Sequence, residues 1–219
     1  VDVLLLDVTN ALTYPTDVKT LCDTAEQMRR EGFKTPDIGF ITHSATVKTV
    51  TTLYNTYFAT GLYKDLWLMW DGKPLMLGDK TANEGSVPLD PKIIDFFTWR
   101  YSWAWDPGQD KWEWLDKYPQ RPGWHDSPSK PEEMSVSIAG HPIDDLGRSY
   151  HSDETWGKGT EPPLDQYHET PESIKGVQFG QQWDQALKVD SEFIGVTGWT
   201  EWIAQRFVCG ADGGPIFSG

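Results

Sequence analysis

The chain has 219 residues, a formal net charge of −14 and 12 tryptophans. No basic cluster is larger than Arg29–Arg30, so the cationic footprint that nucleic acids require is excluded. No segment has the length and apolarity of a membrane span. Hydrophobic and aromatic fractions of 38% and 13% are ordinary for one globular domain. No signal peptide is visible, because the chain starts directly on an apolar strand with no basic segment before it; such a start is expected of a mature form or a fragment.

The spacing of apolar residues predicts strands and helices in alternation. Near-continuous apolar runs favour strands that are covered on both faces, and a repeat of three to four residues favours helices. The Asp71-Gly72 pair predicts a tight hairpin turn between Leu66–Trp70 and Pro74–Leu77. The predicted strands are Asp2–Val8, Ile38–Thr42, Pro74–Leu77, Phe96–Trp103, Met134–Ala139 and one in residues 193–197; the predicted helices are Pro15–Phe33, Val47–Phe58 and Gln178–Lys188.

This order of elements predicts an α/β fold with a parallel sheet. A (β/α)8 barrel is favoured over a doubly wound sheet because "DVTNALTYP" follows the first strand, where a glycine-rich phosphate turn would stand. We expect one barrel domain over residues 1–219, with a further segment or a partner chain completing it, since about six principal strands fall short of eight. Polar residues end nearly every strand: Asp7, His43, Asp79, Arg100, His141 and Glu201.

Two long connections, Trp103–Met134 and Gly140–Val177, follow strand ends, and a barrel would place both at its active face. Six of the tryptophans lie between Trp99 and Trp124. Flat aromatic rings bordered by carboxylates suit sugars, and Trp103, Trp199 and Trp70 are the candidate stacking platforms. The alternative is that such tryptophans only hold the long connections together.

Glu201 is the sharpest catalytic candidate, because it stands between Trp199 and Trp202 after a predicted strand. Partial desolvation there would raise the pKa of its carboxyl group towards that of a general acid. An ion pair with Arg206 is the structural alternative. Asp7 is the second candidate, and its alternative role is to cap the backbone amides of Thr9 or Asn10. Asp79 is a third.

The histidines and cysteines show no metal-binding spacing. No metal or other cofactor is expected, although His43, His141 and Asp7 would supply three ligands if their strand ends converged. The sequence contains no G-x-S-x-G element of a serine nucleophile. Cys22 occupies an apolar helix position and is expected to be a buried free thiol, whereas pairing with the distant Cys209 would require the fold to bring the two together.

Three segments resemble barrel proteins related to glycoside hydrolase families 71 and 99. "VTGWTEW" (Val196–Trp202) resembles their strand-terminal Trp-Asn-Glu-Trp segment, "WDGKPLMLG" (Trp70–Gly78) a strand beginning Asp-Gly-Lys-Pro, and "VDVLLLDVTN" an early strand that ends in an acidic residue. Thr200 stands where the family has asparagine. The resemblance implies a (β/α)8 barrel that acts on glycosidic bonds, or derives from proteins that do.

The sequence therefore predicts a glycoside hydrolase acting on a poly- or oligosaccharide, with Glu201 and Asp7 as its carboxylates. Arg100, His43 and His141 would hold substrate hydroxyls or tune a carboxylate. A non-catalytic carbohydrate-binding barrel is the first alternative, which Thr200 favours, and a metal-dependent hydrolase is the second. A carbohydrate is the expected partner, with neither nucleic acid nor membrane. Action on polysaccharide would favour a secreted or periplasmic location.

Overall fold

The computed structural model describes residues 1–116, 118–137, 177–198, 207–209 and 215–217. The chain folds as an N-terminal unit, Val1–Ser102, and a C-terminal unit, Trp103–Gly219. Both units are α/β with parallel strand pairs, which confirms the predicted class. No helix among the described residues is long and apolar enough to cross a membrane.

The N-terminal unit is built on four parallel strands that lie side by side in chain order. Strand β1 (Val3–Asp7) pairs with β2 (Asp37–Ile41), β2 with β4 (Lys73–Leu77), and β4 with β7 (Thr98–Arg100). A short strand, β3 (Met69–Trp70), adds antiparallel to β4. Because neighbours in the sheet are also successive principal strands in the chain, the strand order never reverses.

Helices separate these strands. Helix α1 (Pro15–Arg30) follows β1, α2 (Thr46–Leu53) follows β2 and continues as a π-helical turn over Tyr54–Phe58, and α3 (Pro91–Phe96) precedes β7. The start of α1 carries Pro15, as the sequence predicts. Asp90 is the N-cap of α3, and its side chain accepts the Lys92 N–H at 2.8 Å.

Strand β7 is shorter than the predicted strand Phe96–Trp103, and at its start the reason is that Phe96 is the last residue of α3. Two elements were not predicted. They are helix α3 and, between β4 and α3, the hairpin of β5 (Asn83–Glu84) and β6 (Val87–Pro88).

The core of the N-terminal unit lies between this sheet and its helices. Val18, Cys22 and Ala25 are the buried stripe of α1, and they pack with Phe40 of β2 and Met76 of β4. Cys22 is a buried free thiol, which confirms the prediction. The hairpin turn is confirmed too: Asp71 and Gly72 have φ of 50° and 78°, the left-handed backbone of a two-residue turn.

The C-terminal unit has a second parallel pair. Strand β9 (Pro131–Ser137) lies between β8 (Gly123–Trp124), which is antiparallel to it, and β10 (Phe193–Thr197), which is parallel. Helix α4 (Val177–Val189) connects β9 to β10 in the chain and packs on the face that carries Met134 and Val136. Strands β11 (Phe207–Cys209) and β12 (Pro215–Phe217) form an antiparallel pair.

Candidate functional site

The carboxyl ends of the four parallel strands in the N-terminal unit form one edge. Asp7 is opposite Ile41, Ile41 opposite Leu77, and Leu77 opposite Arg100. Every one of these strands therefore ends at the same level, and the residues that follow them are neighbours along the edge. Parallel α/β sheets bind their ligands at this edge, so it is the candidate functional site of this unit.

Asp7 ends β1 with an exposed side chain. Its Oδ1 accepts the backbone N–H of Thr9 at 2.8 Å, which confirms the capping role for Thr9. The connection is tied to its neighbour, since the Ser44 N–H donates to the Thr9 carbonyl at 2.9 Å. Asp7 thus presents a carboxylate at the edge, and the hydrogen bond from the Thr9 N–H holds that carboxylate in place.

His43 follows β2 and is exposed, in contrast to Thr42, which is buried. The His43 carbonyl accepts the Thr46 hydroxyl at 2.6 Å, so the histidine lies in the turn that starts α2. Asp7 and His43 therefore stand on adjacent strand ends. Asp79 follows β4, half-buried, and its Oδ1 accepts both the N–H (2.8 Å) and the hydroxyl (2.6 Å) of Thr81.

The remaining candidates of this unit contact the β3–β4 hairpin. Arg100 ends β7, but its buried guanidinium pairs with Asp71, with Nη2 3.0 Å from Oδ2. Asp71 lies in the turn that precedes β4, whereas Arg100 is in register with the last residue of β4. Trp70 is half-buried in the same hairpin, and its carbonyl accepts the Thr98 hydroxyl at 2.7 Å.

The tryptophan-rich segment divides into packed and partly exposed rings. Trp112 is buried and stacks on Phe193 with ring centroids 4.9 Å apart, so it holds its loop to the sheet. Trp103 and Trp114 are half-buried and meet edge to face at 6.2 Å. Of the three predicted platforms, Trp103 and Trp70 are thus both half-buried. Glu201, Trp199, His141 and Arg206 lie outside the described residues.

The C-terminal unit buries a group of carboxyl side chains that reasoning from the sequence missed. Glu113, Asp116 and Glu133 are each at most 2% exposed. Burial raises the pKa of Glu113 to about 11, and the nearby charges of Asp116 and Glu133 add to the rise. Burial, followed by the charge of Asp116, also raises the pKa of Glu133 well above its ordinary value.

A signal for this group was present in the sequence. Glu113 stands between Trp112 and Trp114, the same context that drew attention to Glu201. Glu133 follows Glu132 in a strand, "PEEMSVS", whose other residues are apolar or small. Neither pattern says that the two glutamates meet, because they are brought together by the pairing of β8 with β9 and by the loop before it.

The described residues contain no group of three histidine, cysteine, aspartate or glutamate side chains that would suit a metal ion. The ligand set of His43, His141 and Asp7 stays a prediction, since His141 lies outside the described part of the chain.

The described residues define an α/β protein with an exposed carboxylate and a histidine at the carboxyl edge of its parallel sheet. No family model, no curated protein and no solved structure matches the chain.

Proposed function

We propose that this chain is a glycoside hydrolase on a (β/α)8 barrel, acting on a poly- or oligosaccharide. The observation that carries the proposal is the exposed carboxylate of Asp7 at the carboxyl end of β1, in a sheet whose parallel strands follow one another in chain order. Barrel enzymes draw their catalytic groups from such strand ends.

Strand order supports the barrel. A doubly wound sheet reverses its strand order at the ligand crevice, whereas β1, β2, β4 and β7 succeed one another without reversal. In the C-terminal unit, a separate sheet holds β9 and β10 as another parallel pair, with α4 between them in the chain. A barrel of this class needs eight strands, so the proposal includes further βα units, supplied by another segment or by a partner chain.

The chemistry of the available side chains supports a sugar substrate. Glycosidases need two carboxyl groups, one of which donates a proton to the leaving oxygen. The proposal gives these roles to Asp7 and Glu201, the latter on its sequence context and on the resemblance of "VTGWTEW" to the family 71 and 99 barrels. His43 would bind or orient a substrate hydroxyl, and the partly open ring of Trp103 would stack on a sugar.

The experiment is a glycan screen in which release of reducing sugar and binding are read in parallel. The panel covers β-glucans, xylans, mannans and fucosylated or sulfated polysaccharides. Wild-type protein is compared with Asp7→Asn and Glu201→Gln, and Asp2→Asn is the matched control because it stands at the opposite end of β1. Losing a carboxylate should lower the rate by at least about 100-fold, while Asp2→Asn keeps it.

The screen also separates the alternatives. Glycan binding without release in the wild type would indicate a non-catalytic carbohydrate-binding protein. Release that survives both Asp7→Asn and Glu201→Gln would contradict the assigned carboxylates. Release that chelation abolishes and added metal restores would indicate the metal-dependent hydrolase.

A further inference from the structure

Two buried glutamates in the C-terminal unit have carboxyl oxygens that no described residue bonds. Glu113 and Glu133 are each 2% exposed. Both carboxyl oxygens of Glu113 and Oε2 of Glu133 lack a hydrogen-bond partner among the described residues. Buried polar groups are nearly always satisfied, so an unpartnered pair calls for an explanation.

A second polar group faces the same space. Ser135 is 1% exposed and lies two residues after Glu133, on the same face of β9, and its hydroxyl lacks a described partner as well. Strand β10 encloses the pair from the side, since a Cβ on Gly195 would be 3.1 Å from Glu133 Oε1. The site is thus lined by oxygens and closed by backbone.

The charge balance of this group is one-sided. Arg121 is the cation that faces it, and Asp116 takes most of its hydrogen-bonding capacity: the Arg121 N–H and Nε each reach Oδ2 at 3.0 Å, and Nη2 reaches Oδ1 at 2.9 Å. No described ion pair includes Glu113 or Glu133. From α4 the neighbouring side chain is the neutral Gln182, which bonds the Asp116 carbonyl and Ser137.

Two ionised carboxylates in this setting would be buried without compensation, which proteins avoid by protonation or by binding a cation. The described residues offer no three-carboxylate or histidine set for a metal ion. Asp116 accepts three hydrogen bonds from Arg121, and after burial its charge is the next cause that favours the neutral form of both glutamates. Protons are therefore the better-matched ligands.

We propose that Glu113 and Glu133 form a two-proton site, neutral in the folded C-terminal unit, whose ionisation releases residues 104–116 from strand β9. Those residues carry Glu113 and are held to the sheet by Trp112, whose ring stacks on Phe193 of β10 and whose Nε1 donates to Glu132 Oε2 of β9. Losing the protons would place a negative charge on Glu113 in this segment and another on Glu133 in β9. The raised pKa values of both glutamates agree with this assignment.

The sign of the effect follows from linkage. The folded form holds two protons that an opened form, with glutamates near their ordinary pKa, gives up. Opening therefore becomes easier as pH rises from the ordinary range of glutamate towards the raised range. Each proton contributes a tenfold change in the opening equilibrium per pH unit, so the pair contributes up to about 100-fold.

The test is hydrogen exchange of the full chain, read by mass spectrometry in peptides covering residues 104–116 and 131–137, at several values between about pH 6 and about pH 9 and corrected for intrinsic exchange. Glu113→Gln and Glu133→Gln mimic the neutral acid and should each remove about a tenfold change per pH unit. In the double variant, the opening equilibrium should show no remaining pH dependence from this pair. Glu192→Gln, exposed in the same unit, keeps the wild-type dependence.

Infrared difference spectra give a direct reading, because a protonated carboxyl has a carbonyl stretch that both Gln variants would diminish. Equal pH dependence in the wild type and the double variant would overturn the proposal. So would failure of the Gln variants to fold, since a neutral isostere should be accepted. Protection by added Ca²⁺ or Mg²⁺ in the wild type but not in the double variant would assign the site to a cation instead.

Discussion

Thr42 and Gly78 touch so closely that the sheet edge leaves no room for a side chain between them. A Cβ built on Gly78 would lie 2.2 Å from Thr42 Oγ1. Thr42 is fixed there because its N–H and its hydroxyl both donate to the Leu77 carbonyl, at 2.8 and 3.1 Å. The Gly78 N–H in turn donates to the Arg100 carbonyl at 2.8 Å. This contact holds the ends of β2, β4 and β7 level beside Asp7 and His43.

Gly78→Ala should therefore destabilise the protein by about 1–3 kcal/mol through overpacking. The clash is with one oxygen atom, and the next nearest atom, Thr42 Cβ, would be at an ordinary 3.5 Å. Gly78→Ala should thus cost less in a Thr42→Ala background than in the wild type. Urea denaturation of the four proteins of this double-mutant cycle measures the coupling. If the costs of Gly78→Ala and Thr42→Ala are additive, the backbone rather than the Thr42 hydroxyl limits the space for a side chain at Gly78.

Trp112 stabilises the C-terminal unit in two separable ways. Its ring stacks on Phe193, and its Nε1 donates to Glu132 Oε2 at 2.9 Å. Trp112→Phe keeps an aromatic ring and removes a donor from the buried Glu132 carboxyl, so we expect a loss of about 1–3 kcal/mol. Trp112→Ala also loses the stacked ring and should cost about 3–5 kcal/mol.

Trp114→Phe is the control for Trp112, because Trp114 is half-buried and meets Trp103 edge to face. It should change the free energy of unfolding less than Trp112→Ala does. Chemical denaturation followed by far-ultraviolet circular dichroism measures all three variants. Equal costs for Trp112→Ala and Trp114→Phe would mean that the stack on Phe193 contributes little.

Local signals predicted the elements of this fold well where one short stretch decides the structure. Asp71-Gly72 specified its turn because both residues tolerate a left-handed backbone. The run "FFTWRYSW" misled, because aromatic residues suit a strand and Phe96 nevertheless ends a helix. The stronger local signal was Asp90-Pro91, which caps and starts α3.

The partners of the candidate side chains were beyond the reach of local patterns. Arg100 pairs with Asp71, 29 positions away in the chain, and Gln120 donates to the Gln182 carbonyl, 62 positions away. Such contacts depend on which strands pair and on the path of the loops between them. A polar residue at a strand end can therefore be predicted from sequence, but the direction of its side chain cannot. Arg100 shows this, since its guanidinium donates to Asp71 in the β3–β4 hairpin.

Arg100 should therefore matter for stability whether or not it contacts a substrate. Its side chain is 3% exposed, and Asp71 Oδ2 lies 3.0 Å from its Nη2. Arg100→Met removes the charge and keeps most of the apolar stem, whereas Asp71→Asn removes only the charge of Asp71. Asp71 is largely exposed, so Asp71→Asn should cost at most about 1 kcal/mol. Thermal unfolding measures both variants. A larger loss of stability for Asp71→Asn than for Arg100→Met would contradict the stabilising role of Arg100.

Cys22 should react slowly with thiol reagents as long as the N-terminal unit stays folded. Burial raises the pKa of its thiol from 9.0 to about 11, and the neighbouring charges of Asp23 and Glu26 add to the rise. The folded protein favours the protonated thiol, so this contribution to stability is complete below the unfolded pKa and is lost as pH rises through about 11. Labelling with a disulfide reagent near pH 8 should therefore follow unfolding, with Cys22→Ser identifying the signal of Cys22 against that of Cys209. Rapid labelling of Cys22 in the native protein would show that α1 opens locally without global unfolding.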